Sequence, residues 1–396
     1  MTHTQKTSSD KPFRRSRLGK KIKRMTKKNF PVFASIPPGF LDPAEKEIKT
    51  RLEHAGNIHK TKGGISFNTD FEGIIKANIL TGIPTRILVR IAKFNSQNFD
   101  TLQKYMEEIP FELFLYKGKD LNIKVSSRKS RLIHTGAIKE KAGESINRRL
   151  SLNESLETDL IKENPNIFIR ISRDRVSVSI DSSGEPLYKR GLKKFVNEAP
   201  LRENLCMAAI LKSGYNKKQP FFDPMCGSGT FSAEAAILST NTPPGIFRNY
   251  SFQNWPLFSR FKNKDIYKEL KKNISPPKSI IYSSDISLKN VKAASENLKK
   301  THLEKAVKRA CINFFDIYPQ CKEGTIAINP PYGIRLDKDK KLFEKIGLKL
   351  TKDFKNWNLV FILPVNIKSR YFSEKNFDTS FFIHGGIDMA LFTGKI

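Results

Sequence analysis

The chain has 396 residues, of which 38% are hydrophobic and 10% are aromatic. This apolar content is enough for two or three packed domains and excludes a wholly disordered protein. The longest apolar run that we find, residues 359–365, is far shorter than the roughly 18 residues of a membrane-spanning helix. The first residues also lack the apolar stretch of a secretory signal. We therefore expect a soluble protein.

Positive charge dominates the composition. The chain carries 71 Lys and Arg against 39 Asp and Glu, a formal net charge of +32. Such an excess favours a polyanionic partner, and nucleic acid is the common one. Residues 1–28 are polar and strongly basic, so we predict a disordered basic arm there. The alternative is a solvated charged surface without a partner.

The cysteines and histidines do not form metal-binding motifs. The four cysteines stand at positions 206, 226, 311 and 321, without a C-x-x-C pair, and the six histidines are not clustered. We expect reduced thiols in a cytoplasmic setting and no structural zinc.

The N-terminal part predicts an α+β organisation in two units, 29–95 and 96–182. Alternation of apolar and polar residues at 167–171 and 176–180 indicates strands with one buried face, hence a sheet with a solvent-exposed side. Other predicted strands are 30–35, 87–94, 111–116 and 121–126, and predicted helices begin at Asp42 as N-cap, at Phe71 and at residue 136.

Beyond the turn-forming residues 182–186, strands and helices alternate up to residue 396. The predicted strands are 220–224, 279–285, 310–315, 325–329 and 358–364, separated by helices at 201–213, 229–239, 287–300 and 340–354. Nearly continuous apolar strands joined by helices indicate a doubly wound parallel α/β sheet. Ligands bind at the carboxyl ends of the strands in such sheets.

The first chemical motif is DPMCGSGT at residues 223–230, which links a strand to a helix. Glycines allow the backbone to approach a ligand, and the helix start presents free N–H groups. The third glycine of a dinucleotide fingerprint and the Gly-Lys-Ser/Thr of a P-loop are absent from this motif. A smaller nucleoside ligand is therefore favoured over NAD or ATP, although G-x-G alone could be a tight turn.

Two acids follow predicted strands. Asp285 could accept both hydroxyls of a ribose, or it could cap the helix that begins near Ser287. Asp316 could accept from an adenine amino group, or it could cap a turn.

The second chemical motif is NPPYG at residues 329–333. Consecutive prolines end the strand and stiffen the chain. The Asn329 amide oxygen and the Pro330 carbonyl become fixed acceptors beside an aromatic ring, which suits an exocyclic amino group on a planar base.

Together, DPMCGSGT and NPPYG resemble the class I S-adenosylmethionine-dependent methyltransferases that act on base amino groups. The segments 183–191, 199–205 and 243–245, with Phe252 and Trp255, are similar to the THUMP-containing RNA guanine-N2 methyltransferases. The layout resembles the N-terminal half of the bacterial large-subunit (23S) ribosomal RNA guanine-N2 enzymes. This resemblance implies a Rossmann-like methyltransferase domain at 183–396, a THUMP domain at 96–182 and a ferredoxin-like unit at 29–95.

The resemblance also implies roles for individual residues. Asn329 and Pro330 would accept the N2 hydrogens of a flipped guanine, Pro331 would stiffen the turn, and Tyr332 would stack on the base. S-adenosylmethionine would be bound by Asp223, Pro224, Cys226, Gly227, Ser228, Gly229, Asp285, Phe315 and Asp316.

RNA binding is assigned to the N-terminal half. Residues 116–150 are rich in Lys and Arg, and Arg128, Lys129 and Arg131 form a candidate phosphate-binding loop. Ribosomal RNA is the favoured substrate and transfer RNA the alternative. N6-adenine methylation and a non-catalytic RNA-binding assembly factor remain the rival functions.

Overall fold

The computed structural model describes residues 16–153, 163–195, 201–261, 266–331, 336–367 and 377–396. These residues form two seven-stranded sheets. The N-terminal sheet contains β1 (Phe30–Ser35), β2 (Gly56–Thr61), β3 (Gly64–Thr69), β4 (Arg86–Asn95), β5 (Ile123–Arg128), β6 (Ile167–Ser172) and β7 (Arg175–Asp181). The helices of this half are α1 (Arg17–Met25), α2 (Leu41–Arg51), α3 (Phe71–Leu80), α4 (Phe99–Glu108) and α5 (Thr135–Leu152).

The N-terminal sheet has the strand order β2-β3-β1-β4-β7-β6-β5. Its first four strands and two of its helices follow one another as βαββαβ with antiparallel neighbours. Strand β7 extends this unit by pairing with β4, and β5 pairs in parallel with β6 at the far edge. A single continuous sheet therefore joins the two predicted units of this half.

The C-terminal sheet contains β8 (Phe221–Asp223), β9 (Ile281–Asp285), β10 (Val307–Cys311), β11 (Thr325–Ile328), β12 (Asn358–Pro364), β13 (Asp378–His384) and β14 (Ile387–Lys395). Its helices are α6 (Glu203–Lys212), α7 (Thr230–Ser239), α8 (Ile266–Lys271), α9 (Leu288–Leu298) and α10 (Leu336–Asp353). Short 3-10 helices lie at Phe111–Leu113, Ser251–Asn254, Pro256–Phe261, His302–Ala306 and Phe314–Asp316.

The C-terminal strand order is β10-β9-β8-β11-β12-β14-β13, with β14 antiparallel to β12. The strands from β10 to β12 are parallel, and β11 is buried along its whole length. The predicted doubly wound fold is confirmed. Strands β9 and β10 lie on one side of β8, whereas β11 and β12 lie on the other side. The strand order therefore reverses between β8 and β11, and a crevice is expected at the carboxyl ends of these two strands.

Three sequence predictions were wrong. Residues 111–113 form a 3-10 helix and residues 114–116 are not in a strand, and the Tyr116 backbone N–H and carbonyl are bound by the Asn164 side chain instead of a strand partner. The helix predicted to start at Asp42 begins at Leu41, and Asp42 pairs with Lys60 instead of capping. The strand predicted at 310–315 ends at Cys311, so Asp316 closes a 3-10 helix rather than a strand.

The basic arm predicted at 1–28 is partly helical. Residues 1–15 lie outside the described residues, whereas α1 is capped by Ser16 and buries Leu18 and Ile22. It contacts the 3-10 helices Phe111–Leu113 and Pro256–Phe261, and Lys21 forms an ion pair with Glu112. The apolar spacing of Leu18 and Ile22 explains the difference, because one face of a basic segment can still pack.

The two halves meet through buried polar contacts. Arg190 and Glu234 have side-chain exposures of 2% and 0%, and the Arg190 guanidinium donates to Glu234 and to the Gly82 carbonyl at 3.0 and 2.7 Å. Asn78 donates to Ser182 Oγ at 2.8 Å and accepts from Ser183 Oγ at 2.7 Å. Arg248 donates to four backbone carbonyls between residues 183 and 189. These bonds hold residues 182–190, which connect the two halves, against both of them.

In the described part of the chain, no helix combines the length and apolar character that crossing a bilayer requires.

Candidate active site

The glycine turn after β8 leads directly into α7, as the motif predicted. Gly227 and Gly229 have positive φ angles of 51° and 81°, which favour glycine. A Cβ on Gly229 would lie 2.8 Å from Ala294 Cβ, so this glycine allows α7 to pack closely against α9. A Cβ on Gly227 would meet no described atom within 4 Å. The Gly227 backbone therefore borders open space in the described structure, where a ligand can approach it.

Asp223 is fully buried at the end of β8. Its Oδ2 accepts from the Ser232 backbone N–H at 3.0 Å and from Ser232 Oγ at 2.6 Å. Burial raises the pKa of this carboxyl to about 7, and the two Ser232 hydrogen bonds oppose the rise. Asp223 thus joins the strand to the start of α7, and Ser232 is a partner that sequence reasoning missed.

Asp285 connects the glycine turn to the neighbouring strand. Its Oδ2 accepts from the Gly227 backbone N–H at 3.0 Å. Its Oδ1 accepts from the Ser287 backbone N–H at 2.9 Å and from Asn290 Nδ2 at 3.1 Å. The helix-start alternative is therefore partly right, since Asp285 braces the entry to α9 while Ser287 is the N-cap residue. A carboxylate has acceptor capacity beyond these three bonds.

An apolar surface adjoins Asp285. Ile286 is 71% exposed and Ile312 is 36% exposed, and the Ile312 N–H donates to the Asp285 carbonyl at 3.1 Å. Phe315 is partly exposed and Asp316 is exposed in the following 3-10 helix, whereas Phe314 is buried. Sequence reasoning missed Ile286. The available signal was a large apolar residue immediately after a strand-end acid.

Asn329 stands at the end of β11 beside the glycine turn. Strands β8 and β11 are paired so that Ile326 lies opposite Phe222, and this register, if continued past the strand ends, would bring Asn329 level with Met225. The Asn329 Oδ1 atom is buried without a hydrogen-bond partner among the described residues, and so is Ser228 Oγ. Buried polar atoms without partners are costly, so a site with two of them is suited to a polar ligand.

The other predicted site residues divide into three groups. Pro330 is buried and Pro331 is exposed after Asn329, while Tyr332 lies outside the described residues. Cys226 is buried, and burial raises the pKa of its thiol. Arg128, Lys129 and Arg131 are exposed on the N-terminal sheet and its edge turn, away from the C-terminal sheet that carries the other motifs. No His, Cys, Asp and Glu cluster suited to a metal ion occurs among the described residues.

The strand order, the glycine turn and the acid after the second strand define a class I S-adenosylmethionine-dependent methyltransferase fold. Residues 190–379 match the family model described as RMKL-like, methyltransferase domain. S-adenosylmethionine is the cofactor of this fold. A solved protein, SMU.472, provisionally described as a methyltransferase, is complexed with SAH, the product form of that cofactor. It is 26% identical with a TM-score of 0.79, covering 93% of this chain and 98% of its own.

Other relatives agree on methyl transfer. Ribosomal RNA large subunit methyltransferase K/L of Buchnera aphidicola subsp. Schizaphis graminum is 30% identical over 83% of this chain and 49% of its own length. The chain thus spans about half of that relative. YpsC of Bacillus subtilis (strain 168), provisionally named as an RNA methyltransferase, is 27% identical over 93% and 94% of the two chains. A structure from Clostridium difficile 630, provisionally described as a methylase, is 28% identical with a TM-score of 0.82, covering 93% and 98%.

Proposed function

We propose that the protein transfers a methyl group from S-adenosylmethionine to the exocyclic N2 of a guanosine in RNA, with large-subunit ribosomal RNA favoured. The observation that carries this proposal is Asn329 Oδ1, which is buried without a hydrogen-bond partner in the described part of the chain. An amide acceptor at that place suits an amino group that must be held next to the methyl donor.

The cofactor would lie along the glycine turn. The backbone around Pro224, Cys226, Gly227, Ser228 and Gly229 would face its amino-acid part, and Asp285 would accept from the ribose hydroxyls. Ile286 and Phe315 offer apolar surface for the adenine, and Asp316 offers an acceptor for its amino group. When bound, S-adenosylmethionine supplies an electrophilic methyl group on a sulfonium.

The acceptors at the end of β11 would orient the nucleophile. Asn329 Oδ1 and the Pro330 carbonyl would accept the two N2 hydrogens and direct the nitrogen lone pair at the methyl carbon. With the cofactor bound, the N–C bond would form as the S–C bond breaks, the S–C electron pair would stay on sulfur, and the surplus N2 proton would leave to solvent. Positioning of this kind can supply roughly 7–11 kcal/mol of the barrier. Tyr332 would hold the flipped base by stacking.

Support for an RNA substrate comes from charge and from relatives. The net charge of +32 suits a polyanion, and the K/L proteins and YpsC carry RNA methyltransferase names. We propose residues 183–396 as the methyltransferase domain, 29–95 as a ferredoxin-like unit, and 96–182 as a THUMP RNA-binding domain. Arg128, Lys129 and Arg131 are proposed phosphate contacts in that domain.

The deciding experiment is methylation of RNA from a strain lacking this protein. Purified enzyme and labelled S-adenosylmethionine are incubated with separated ribosomal and transfer RNA, followed by nucleoside mass spectrometry and site mapping. We expect N2-methylguanosine in large-subunit ribosomal RNA. Label in transfer RNA would support transfer RNA as the substrate. N6-methyladenosine would show that adenine, and not guanine, is the target base. Cofactor binding without label in any RNA supports the non-catalytic rival.

Asp285→Ala should weaken binding of S-adenosylmethionine roughly 10-fold to 100-fold, since hydrogen bonds to a charged group contribute about 1.5–3 kcal/mol. Isothermal titration calorimetry measures the dissociation constant. Asn290→Ala is the matched control, because it removes one bond to Asp285 and leaves the carboxylate and the Gly227 contact in place. If the dissociation constant is unchanged in Asp285→Ala, Asp285 stabilises the start of α9 and does not bind the cofactor.

Cofactor affinity should also depend on pH through Asp223. Its pKa of about 7 means that the free protein is largely protonated there at pH 6. A bound cation favours the carboxylate form, so affinity should rise about threefold to tenfold from pH 6 to pH 8. Asp223→Asn should remove this part of the pH dependence. The amino group of the cofactor also titrates, so the test compares the pH dependence of cofactor affinity in wild type with that in Asp223→Asn. The same pH dependence in both proteins would contradict the prediction.

A further inference from the structure

The N-terminal sheet has one face covered by helices and one open face. Helices α2, α3 and α5 contact strands β2, β3, β4 and β5, and the buried residues Val32, Val89 and Ile169 share one side of the sheet by register. Side chains alternate along a strand, so Phe33, Arg90 and Phe168 point to the opposite side. The pairings Arg90 with Ser179 and Ser179 with Phe168 confirm that these positions share that side. We call this side the open face.

Cations dominate the open face. Apart from Arg86, which is paired with Asp181, strand register places on it six positively charged residues: Arg90, Lys93, Lys124, Arg128, Arg170 and Arg175. All except Arg90 are exposed. In the described strands the only carboxylate at an open-face position is Asp181, which is 0% exposed and paired with Arg86. The cations across the sheet therefore have no exposed acid among them within the described strands.

Two aromatic rings lie among these cations. The Arg90 guanidinium lies 5.9 Å from the centre of the Phe33 ring, and Lys124 Nζ lies 5.6 Å from that of Phe168. Both rings are partly exposed. Their strands, β1 and β6, are three strand spacings apart in the sheet, or roughly 14 Å. Two different nucleotides, rather than one, would be needed to cover both rings.

Arg90 on the open face has a guanidinium nitrogen that an anion could satisfy. Its Nε is buried without a hydrogen-bond partner in the described structure. Burial and the neighbouring Arg170 charge both lower the pKa of this guanidinium, so the surroundings disfavour its positive charge. Holding two arginines close together without an acid is costly for the free protein. A phosphate between them would remove this cost.

We propose that the open face binds a single-stranded segment of RNA, with phosphates on the cations and bases stacked on Phe168 and Phe33. This inference rests on the proposed RNA function for its choice of nucleic acid. Stacking on a flat sheet needs bases that are unpaired, and a duplex hides its bases inside. The surface therefore extends beyond the edge loop at Arg128–Arg131, which adjoins it through Arg128 and offers charge without an aromatic ring.

Charge reversal tests the surface. In Lys124→Glu/Arg170→Glu, two exposed open-face cations become acids. The matched control is Lys46→Glu/Lys104→Glu, which changes the net charge equally at exposed positions on α2 and α4, outside the basic segment 116–150. Binding of a labelled 12-nucleotide RNA is measured by fluorescence anisotropy across salt concentrations. We expect about tenfold weaker binding for the open-face variant and a salt slope smaller by roughly 1.4, at about 0.7 for each lost phosphate contact. The control should stay within a factor of two of wild type at moderate salt.

Stacking has its own test. Phe168→Trp places a fluorescent indole on the open face, whereas Trp255 and Trp357 are each only 1% exposed. Single-stranded RNA should quench the new emission and a duplex of equal charge should not. Phe168→Ala should weaken single-strand binding at least roughly fivefold, the lower end for one stacked base. Circular dichroism and thermal melting verify that each variant is folded.

The outcomes separate this inference from the proposed function. Equal losses in both charge-reversal variants, absent quenching, or equal quenching by duplex would overturn the open-face proposal. If wild type methylates RNA while the open-face variants match the control, the inference is wrong and the methyltransferase proposal stands. If no RNA is methylated although Phe168→Trp is quenched by single strands, methyl transfer to RNA is wrong and the binding surface stands.

Discussion

Asn329→Ala should reduce methyl transfer by about 100-fold to 1,000-fold, the range for loss of one preorganised hydrogen-bonding group in an active site. The reason is local. Asn329 Oδ1 is buried at the end of β11 without a partner among the described residues, so its acceptor capacity is free for the target amino group. Single-turnover assays with saturating RNA and cofactor measure the loss.

The same variant should bind S-adenosylmethionine as wild type does, because the residues proposed to hold the cofactor lie on the glycine turn and after β9. Asn329→Asp is the conservative comparison, since it keeps an acceptor oxygen at the same position and should retain more activity than Ala. Near-normal turnover in Asn329→Ala would remove Asn329 from the reaction. A large loss of cofactor affinity would instead mean that the substitution disturbs the turn.

The C-terminal half was the more predictable part of the fold. Its strands β11 and β12 are apolar along most of their length, β9 is mostly buried, and the motifs fall where these strands end. Sequence spacing alone places Asp285 and Asn329 at strand ends. It does not show that Asp285 already accepts from Gly227, because that contact depends on the pairing of β9 with β8.

The N-terminal half shows where sequence patterns are ambiguous. Residues 111–116 are apolar enough for a strand, yet Phe114 packs edge-on against Trp255 of the other half at 5.1 Å between ring centres. A short buried run can serve a turn as well as a strand, and tertiary contacts decide. Helix α1 was hidden for a related reason. Its many cations obscured the two apolar residues that pack against both halves.

The open face also depends on strand pairing. Alternation at β6 and β7 predicted a sheet with one solvent-exposed side, but residue spacing within one strand cannot show which residues of other strands share that side. Phe33 and Phe168 are 135 positions apart in the sequence and reach the same face only through the register of β4 and β7. The surface is therefore a property of the assembled sheet.

Loss of Arg190 should destabilise the whole protein. The Arg190 side chain is 2% exposed and binds Glu234, which is 0% exposed, and the Gly82 carbonyl of the other half. Arg190→Met leaves a buried carboxylate without its cation, a change that typically costs about 3–5 kcal/mol. Urea unfolding followed by tryptophan fluorescence measures the free energy of unfolding, since Trp255 and Trp357 are buried.

The adjacent Lys189 is the matched control, because its ion pair with Glu185 is on the surface. Lys189→Met should leave the unfolding midpoint unchanged. In the double variant Arg190→Met/Glu234→Leu, the uncompensated charge is gone, so part of the lost stability should return, although the Gly82 carbonyl still lacks its donor. If Arg190→Met unfolds like wild type, the buried pair does not stabilise the fold. If the double variant is as unstable as the single one, Arg190 stabilises the protein mainly through its bond to the Gly82 carbonyl. The connection between the two halves would then account for the lost free energy of unfolding.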